Sequence, residues 1–144
     1  MISKYLIDMD KNIEKLNEFL GKGSFGSVEK AIYLPKKHRN EEQKRIPCAI
    51  KSLTATFNNE AMMKLKKEFE PQVSLKHPAI LQAFGYSMPI MGQGEFCIIM
   101  EYAPNKSLKA ILQAEDTGMA PDGWATTKKA IAIFGIAAGM LYMH

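Results

Sequence analysis

The sequence predicts an α+β fold in which five strands are interrupted by one helix and then followed by helices only. Three observations predict it. A glycine-rich stretch, GKGSFGSV at residues 21–28, separates two segments of strand-like composition. Two further apolar runs, IPCAIKSL and FCIIMEY, flank a segment whose apolar residues have helical spacing. Helical patterns alone follow the second run.

Two of the first three strands flank the glycine stretch, and the third follows a charged loop. LNEFL leads into it and SVEKAIYL leads out of it, so we expect two strands joined by a glycine loop. PKKHRNEEQKR is polar and charged, which favours a solvated loop over the alternative of a nuclear-import or nucleic-acid-binding patch. IPCAIKSL is the third strand. Because side chains alternate along a strand, Ala49 and Lys51 share one face, and Cys48 and Ile50 share the other.

The helix is predicted over residues 58–76, with Asn58 or Asn59 as its cap. At 100° per residue Glu68 borders the apolar stripe, whereas Glu70 falls on the far side and is expected to be a solvated surface charge. Glu68 is therefore the better ion-pair partner for a lysine that points from the sheet, such as Lys51. The stripe itself consists of Met62, Leu65, Phe69 and Val73.

Pro71 lies inside this helix, three residues beyond Glu68. A proline there removes the N–H that would bond the carbonyl of Lys67, and its ring crowds that carbonyl, at a cost of about 3 kcal/mol. We therefore expect a kink or an early break over residues 67–71. Either would displace Glu68 and weaken an ion pair with Lys51.

The rest of the chain supplies two strands and two helices. HPAILQAFGYSM continues as an extended apolar segment after Pro78, where His77 is expected to cap the turn, and FCIIMEY is a buried strand. KSLKAILQAE predicts a short helix, and a last helix runs from about Thr126 to His144. Residues 130–143 are apolar almost all round, which is typical of a helix buried on every side. If exposed, that surface favours aggregation or partner binding.

Charge and cysteine content exclude several classes of function. The net charge of +4 is too mild to indicate binding to nucleic acid or to a membrane surface. The longest wholly apolar run, residues 130–143, has 14 residues, fewer than the roughly 20 that span a bilayer. Cys48 and Cys97 form no C-x-x-C pair, so we expect free thiols in the cytoplasm. The three histidines are scattered, and no metal site is predicted.

The glycine stretch fits one of three phosphate-binding loops better than the others. A dinucleotide turn requires a buried strand before the glycines and a helix after them, whereas KLNEF is polar and a strand follows. A Walker loop requires Lys-Ser/Thr after Gly26, where Ser27 and Val28 stand. A hairpin that covers a nucleotide fits, with room for a flat ring at Ala49 and a cation for phosphates at Lys51. A different nucleotide-binding fold stays an alternative.

Five segments, taken in order, resemble a protein kinase. GKGSFGSV resembles the G-x-G-x-x-G-x-V loop, and CAIK resembles V-A-I-K. EFEPQVSLKHPAIL resembles the αC helix followed by H-P-N-I, and the spacing to that histidine selects Glu68 as the family's glutamate. FCIIMEYAPNKSL resembles the fifth strand and hinge, and TTKKAIAIFGIAAGMLYMH the αE helix. The resemblance covers Leu16 to His144 and is closest to the tyrosine-kinase-like group.

This resemblance implies the architecture of a kinase N-lobe. The expected fold is a five-stranded antiparallel sheet with one αC-type helix, followed by a hinge and two C-lobe-type helices. The implied division is an N-terminal extension over residues 1–15, the N-lobe and hinge over 16–103, and the start of a C-lobe over 104–144.

The resemblance also implies an ATP site. Lys51 would contact the α- and β-phosphates and pair with Glu68, and the amides of Ser24, Phe25 and Gly26 would cover the phosphates. Lys51 and Glu68 form the implied catalytic pair.

The same resemblance places adenine between two apolar side chains, Leu20 and Val28. Met100 would stand at the back of the pocket as the gatekeeper, or it would simply be part of the core. The backbone of Glu101 and Ala103 would hydrogen-bond adenine, and a serine would lie near the ribose. The complete implied ATP-binding set is Leu20, Gly21, Lys22, Gly23, Ser24, Phe25, Gly26, Ser27, Val28, Ala49, Lys51, Met100, Glu101, Tyr102, Ala103 and Ser107.

The sequence lacks two kinase motifs. Neither H-R-D-x-x-x-x-N, whose Asp accepts the substrate proton, nor D-F-G, whose Asp holds Mg²⁺, occurs in it. We therefore expect the 144-residue chain to be inactive alone, with Mg²⁺ and a protein substrate engaged only in a full-length form. The alternative is a non-catalytic nucleotide-binding or protein-interaction module. Preference for Ser/Thr or Tyr substrates stays open.

Overall fold

The structure is a computed structural model that describes residues 4–23, 26–53, 59–89 and 94–144, without the side chains at 59, 61, 62, 65 and 68. The chain divides into two compact units. The first consists of Met1–Leu75 and Gln82–Tyr102, and the second of Lys76–Leu81 and Ala103–His144.

The first unit is built on a five-stranded sheet in the order β1-β2-β3-β5-β4, in which neighbouring strands are antiparallel. This confirms the predicted fold. A short helix before β1 was not predicted, since four residues carry too little periodicity to show one. The elements are α1 (Met9–Asn12), β1 (Ile13–Gly23), β2 (Gly26–Tyr33), β3 (Ile46–Leu53), α2 (Asn59–Ser74), β4 (Ala83–Ser87) and β5 (Phe96–Glu101).

Apolar side chains form one cluster on each face of the sheet. We call one the back cluster; it contains Cys48 and Ile50, which are fully buried as the alternation along β3 predicts. The helix-side cluster lies on the opposite face, against α2. The back cluster comprises Ile7, Ile13, Ala31, Cys48, Ile50, Cys97 and Ile99, and the helix-side cluster comprises Phe69, Val73, Ala83, Tyr86 and Phe96.

Helix α2 packs on the sheet through the predicted apolar stripe. Phe69 and Val73 are each only 5% exposed. The expectation of an early break was wrong, because the helix continues through Pro71 to Ser74, whose hydroxyl donates to the Pro71 carbonyl over 2.6 Å. The proline sits one turn from the helix end, and burial of Phe69 and Val73 holds the backbone on both sides of it. A kink stays a prediction.

The second unit contains two helices, α3 (Leu108–Asp116) and α4 (Thr126–Met143). The Glu115 carboxylate joins them, since it lies 2.5 Å from Lys129 Nζ and accepts the indole N–H of Trp124 over 3.2 Å. In the segment 76–81 the expected cap is present, because His77 Nδ1 accepts the N–H of Ala79. Residues 78–80 are therefore a turn rather than the start of a strand.

Helix α4 presents much apolar surface. Phe134 is 75% exposed and Leu141 79%, and Gly139 is the one residue of α4 that is buried. The helix is therefore not covered on every side, and poor solubility stays a prediction. Among the described residues, no helix is both long enough and apolar enough to cross a bilayer.

The carboxylate that joins α3 to α4 predicts an acid-sensitive contact. A hydrogen bond from Lys129, which is the larger effect, and one from Trp124 hold the pKa of Glu115 below its ordinary value of 4.5. The ionised pair therefore stabilises this unit above pH 4.5, and its contribution is lost as the pH falls through the lowered pKa. We expect the fluorescence of Trp124, the only tryptophan, to report this transition below about pH 4.5.

The Glu115→Gln variant removes the titrating group and should show no such transition. Asp116→Asn is the matched control, since it neutralises the next carboxylate along the helix, and it should titrate like the wild type. An unchanged transition in Glu115→Gln would contradict the assignment.

Candidate nucleotide site

The glycine stretch forms the end of the β1–β2 hairpin. A strand follows the glycines, so the dinucleotide turn, which needs a helix at that position, is excluded. Ser24 and Phe25, whose amides are predicted to cover phosphates, lie outside the described residues. The pairs nearest the tip are Gly21 with Val28, Lys22 with Ser27, and Gly23 with Gly26.

The three glycines are not equivalent. A Cβ at Gly26 would lie 1.9 Å from the Ser52 carbonyl oxygen, and its φ of +137° is one that other residues rarely adopt. At Gly21 and Gly23 no described atom lies within 4 Å of such a Cβ. Gly26 is therefore required by the approach of β3, whereas the other two leave open space over the hairpin.

The register of the sheet brings the predicted adenine and phosphate residues onto one face. Val28 lies opposite Lys51, and Ala49 lies opposite Met100 on the other side of β3. Directly opposed residues of an antiparallel pair point to the same face. Ala49 is buried, and Met100 and Val28 are half-buried, so a small side chain separates two larger ones beside the lysine.

Leu20 is the most exposed of the predicted ring-flanking side chains, at 42%. It lies in β1 where the pairing with β2 shifts between Phe19 and Gly21. This shift places Leu20 next to the Gly21–Val28 pair. Its contact with adenine stays a prediction.

Lys51 is half-buried in β3 and lies opposite Ile98 of β5. Ile98 packs against the helix-side cluster, so Lys51 points to the face of the sheet that carries α2. The side chain of Glu68 lies outside the described part of α2. The ion pair between Lys51 and Glu68 therefore stays a prediction.

Glu70 is not the solvated surface charge that its helical position indicates. It is half-buried and accepts a hydrogen bond from the hydroxyl of Tyr86 over 3.0 Å, while Lys66 Nζ lies 4.0 Å away. Tyr86 belongs to β4, and the sequence of α2 alone could not show that its hydroxyl reaches this carboxylate. The glutamate therefore helps to attach α2 to the sheet.

The last residue of β5 is held on both its backbone and its side chain. The N–H of Glu101 donates to the Gln82 carbonyl over 2.8 Å, and its carboxylate accepts the Gln82 N–H over 3.2 Å. Since this N–H is committed, any adenine bond at Glu101 has to use its carbonyl oxygen as an acceptor.

Tyr102 has a partner that sequence reasoning missed. Lys30 Nζ lies 4.7 Å from the centroid of its ring and 3.3 Å from a carboxylate oxygen of Glu18. Lys30 and Tyr102 are both half-buried, and a cation–π contact between them is worth about 0.5–2 kcal/mol. Lys30 stands two residues after Val28 and therefore shares its face of the sheet. This alternation was the sequence signal that could have placed Lys30 beside the predicted site.

Two predicted site residues belong to the second unit. The carbonyl of Ala103 accepts the N–H of Lys106 over 3.2 Å. The hydroxyl of Ser107 caps α3 by accepting the N–H of Ala110 over 3.2 Å, and it retains its own proton for donation. A role for Ser107 near a ribose stays a prediction.

Comparison with known proteins identifies the family. A family profile described as "Protein tyrosine and serine/threonine kinase" matches residues 14–144. The chain belongs to the protein kinase family. The predicted resemblance is thereby confirmed, and the sheet with its single long helix corresponds to the kinase N-lobe.

Individual kinases are similar at moderate identity. Aurora kinase B of Mus musculus is 37% identical over 68% of this chain. Tyrosine-protein kinase receptor ver-3 of Caenorhabditis elegans is 33% identical over 72%, and probable serine/threonine-protein kinase drkB of Dictyostelium discoideum is 29% identical over 95%. The matched segments span only 26%, 9% and 17% of these kinases, respectively.

The close approach at Gly26 predicts a large difference between two glycine substitutions. Gly26→Ala should lower the free energy of unfolding by about 2–3 kcal/mol, because the new Cβ collides with the β3 backbone at a positive φ. Gly23→Ala, at a position open to solvent, should change it by less than about 1 kcal/mol. Urea unfolding of both variants checks this, and equal effects would contradict the distinction.

Proposed function

We propose that this chain is the ATP-binding part of a protein kinase catalytic domain, which in a full-length form transfers a phosphoryl group from ATP to a protein hydroxyl. The single observation that carries the proposal is the register of β2, β3 and β5. It aligns Val28 with Lys51 and Ala49 with Met100 on one face of the sheet. In a member of the kinase family, this arrangement would place the adenine ring and the phosphates of ATP on the same face of the sheet.

The residues present fit the chemistry of ATP. Small Ala49 leaves space for a flat ring, and the half-buried Lys51 supplies a cation on the same face for the phosphates. The open space at Gly21 and Gly23 allows phosphate oxygens to approach the hairpin backbone. ATP would supply the transferable phosphoryl group, and these residues would orient it.

Glu68 is proposed to hold Lys51 in place. Lys51 points to the face that carries α2, and Glu68 immediately precedes Phe69, which is buried against that face. From the border of the predicted apolar stripe, the Glu68 carboxylate would meet the lysine of β3. This pairing would prevent the lysine from turning into solvent.

Phosphoryl transfer itself requires groups that this sequence does not contain. The general base and the metal ligands of kinases belong to H-R-D and D-F-G, which are absent from the 144 residues. The described residues contain no group of three or more His, Cys, Asp or Glu side chains that could hold a metal ion. We therefore assign no Mg²⁺-dependent step to this chain and propose that it is catalytically incomplete alone.

The domain boundaries, the cytoplasmic location and the type of acceptor hydroxyl belong to the same proposal. We keep an extension over 1–15, the N-lobe and hinge over 16–103 and the start of a C-lobe over 104–144; the boundary between the compact units at Tyr102 and Ala103 supports the last division. Both cysteine thiols are free and buried, which suits the cytoplasm. The similar kinases include both Tyr and Ser/Thr types, so either hydroxyl is a candidate acceptor.

The exposed face of α4 favours a second candidate function. Ile133, Phe134 and Leu141 are each at least 70% exposed. Exposed side chains of this size are typical of surfaces that bind another protein. A non-catalytic nucleotide-binding or protein-interaction module would use this face.

The ATP proposal predicts a specific effect of removing the β3 lysine. Lys51→Met should weaken ATP binding by about tenfold or more, because a charge-assisted contact to phosphate contributes about 1.5–3 kcal/mol. Lys36→Met, in the exposed loop after β2, is the matched control and should bind within about twofold of the wild type. Isothermal titration calorimetry of the three proteins measures the dissociation constants.

Competition by adenosine tests whether the base is recognised as well as the phosphates. Adenosine should displace ATP from the wild type, whereas triphosphate without a base should compete poorly. Equal ATP affinities of Lys51→Met and the wild type would refute the proposed site.

The incomplete catalytic machinery predicts an inactive chain. Purified 144-residue protein, incubated with radiolabelled ATP, Mg²⁺ and a generic protein substrate, should transfer no more phosphate than a blank. An active protein kinase assayed in parallel controls for the conditions. Transfer that Lys51→Met abolishes would show that these residues suffice for catalysis.

A further inference from the structure

The segment before β1 adds to the edge of the sheet. Leu6 forms a parallel bridge to Tyr86 of β4, which is an edge strand. The N–H of Ile7 donates to the Tyr86 carbonyl over 2.8 Å, and the N–H of Tyr86 donates to the Tyr5 carbonyl over 3.0 Å. These bonds satisfy backbone groups of β4 that an edge strand would otherwise present to solvent.

Gly85 makes this docking possible. A Cβ at Gly85 would lie 2.3 Å from the Tyr5 carbonyl oxygen and 2.8 Å from Ile7 Cδ1, and the third nearest atom, at 3.0 Å, is also in Ile7. All three atoms therefore belong to the docked segment rather than to the sheet. The three closest contacts of a side chain at this position are therefore with the segment, and departure of the segment would relieve them.

The segment then continues behind the sheet to its other edge. Ile7 is 5% exposed and Ile13 8%, and both belong to the back cluster. Between them Asp8 caps α1 by accepting N–H groups of the helix, and the Asn12 side chain donates to the Leu34 carbonyl over 2.9 Å. We call residues 5–12 the strap, because they connect the β4 edge to the start of β1.

The strap also touches the opposite face. Tyr5 packs against the helix-side cluster, which contains Phe69 and Val73 of α2. Ile7, two residues later, packs in the back cluster. The strap therefore contacts both apolar clusters across the edge of β4, and one of them carries the helix that positions Glu68.

We propose that the edge of β4 at Gly85 is a binding site for an extended segment, that residues 5–7 of this chain occupy it, and that their docking sets how α2 packs on the sheet. Because α2 carries Glu68, docking of the strap would also affect the Lys51 site, and this consequence rests on the proposed function. Extended segments bind sheet edges through backbone hydrogen bonds, with specificity from the flanking side-chain pockets. Here burial of Ile7 in the back cluster supplies that specificity, and Gly85 admits the backbone.

Two substitutions should release the strap, one in β4 and one in the strap itself. Gly85→Ala blocks the site, and Ile7→Ser removes the buried anchor. Leu6→Ser is the matched control on the strap, since Leu6 is 43% exposed, and Gly135→Ala in α4 is the control for a glycine substitution, since its Cβ would make only an ordinary contact at 3.7 Å.

Amide hydrogen exchange of the full 144-residue chain, without nucleotide, is the primary measurement. Both release variants should lose protection about tenfold or more at the Tyr86 amide and at the α2 amides around Phe69, while β3 keeps its protection. The double variant should exchange like the single ones, because both reach the same released state. The two controls should match the wild type.

The buried thiols supply a second measurement. Burial raises the pKa of Cys48 to about 11, and it raises the pKa of Cys97 as well. Both thiols lie in the cluster that the strap covers, so release should accelerate their reaction with a soluble disulfide reagent.

The outcomes separate the steps. Unchanged protection of Tyr86 in Gly85→Ala would overturn the site, and exposure of Tyr86 with unchanged α2 exchange would overturn the coupling. Should Gly85→Ala unfold the entire sheet, Ile7→Ser decides by the same criteria. If the wild type binds no ATP, the proposed function fails while the exchange results still judge the strap. If the wild type binds ATP and the release variants bind it equally well, the link to the nucleotide site is overturned.

Discussion

The alternation of side chains along β3 is the constraint on which the structure depends. β3 is the central strand, so a neighbouring strand pairs with it on both sides. Its even and odd positions face opposite ways. Cys48 and Ile50 are therefore buried in the back cluster, while Ala49 and Lys51 point to the face that carries α2. A one-residue shift in register would exchange the core and the nucleotide face.

Two close backbone approaches connect the sheet to the parts that surround it. At Gly26 the hairpin approaches the Ser52 carbonyl, and at Gly85 the strap approaches β4. Neither position has room for a Cβ while the approaching backbone stays in place, yet the reasons differ. Gly26 is opposed by the backbone of a central strand that is paired on both sides, whereas Gly85 is opposed by a short segment that is held at one edge. The first approach lies within the sheet, and the second admits a docked segment at its edge.

Sequence reasoning predicted the elements well where pattern and packing agree. β3 was predicted at its observed bounds, and the stripe residues Phe69 and Val73 are buried. It failed where a distant residue decides the outcome. Pro71 does not end α2, because packing on the sheet offsets its local cost, and Glu70 is bound by Tyr86 from another element. The strap was not predicted, since its buried anchor, Ile7, is an isolated apolar residue that belongs to no periodic pattern.

The sequence by itself determined the order of the five strands and the three longer helices, the family, and the choice of Lys51 and Ala49 as partners on one face. These follow from local spacing, which does not depend on the rest of the chain. Only the tertiary structure decided which glycines are indispensable, which carboxylates are bound and what covers the β4 edge. Those properties arise from contacts between residues far apart in the chain, and no local pattern encodes the distance between them.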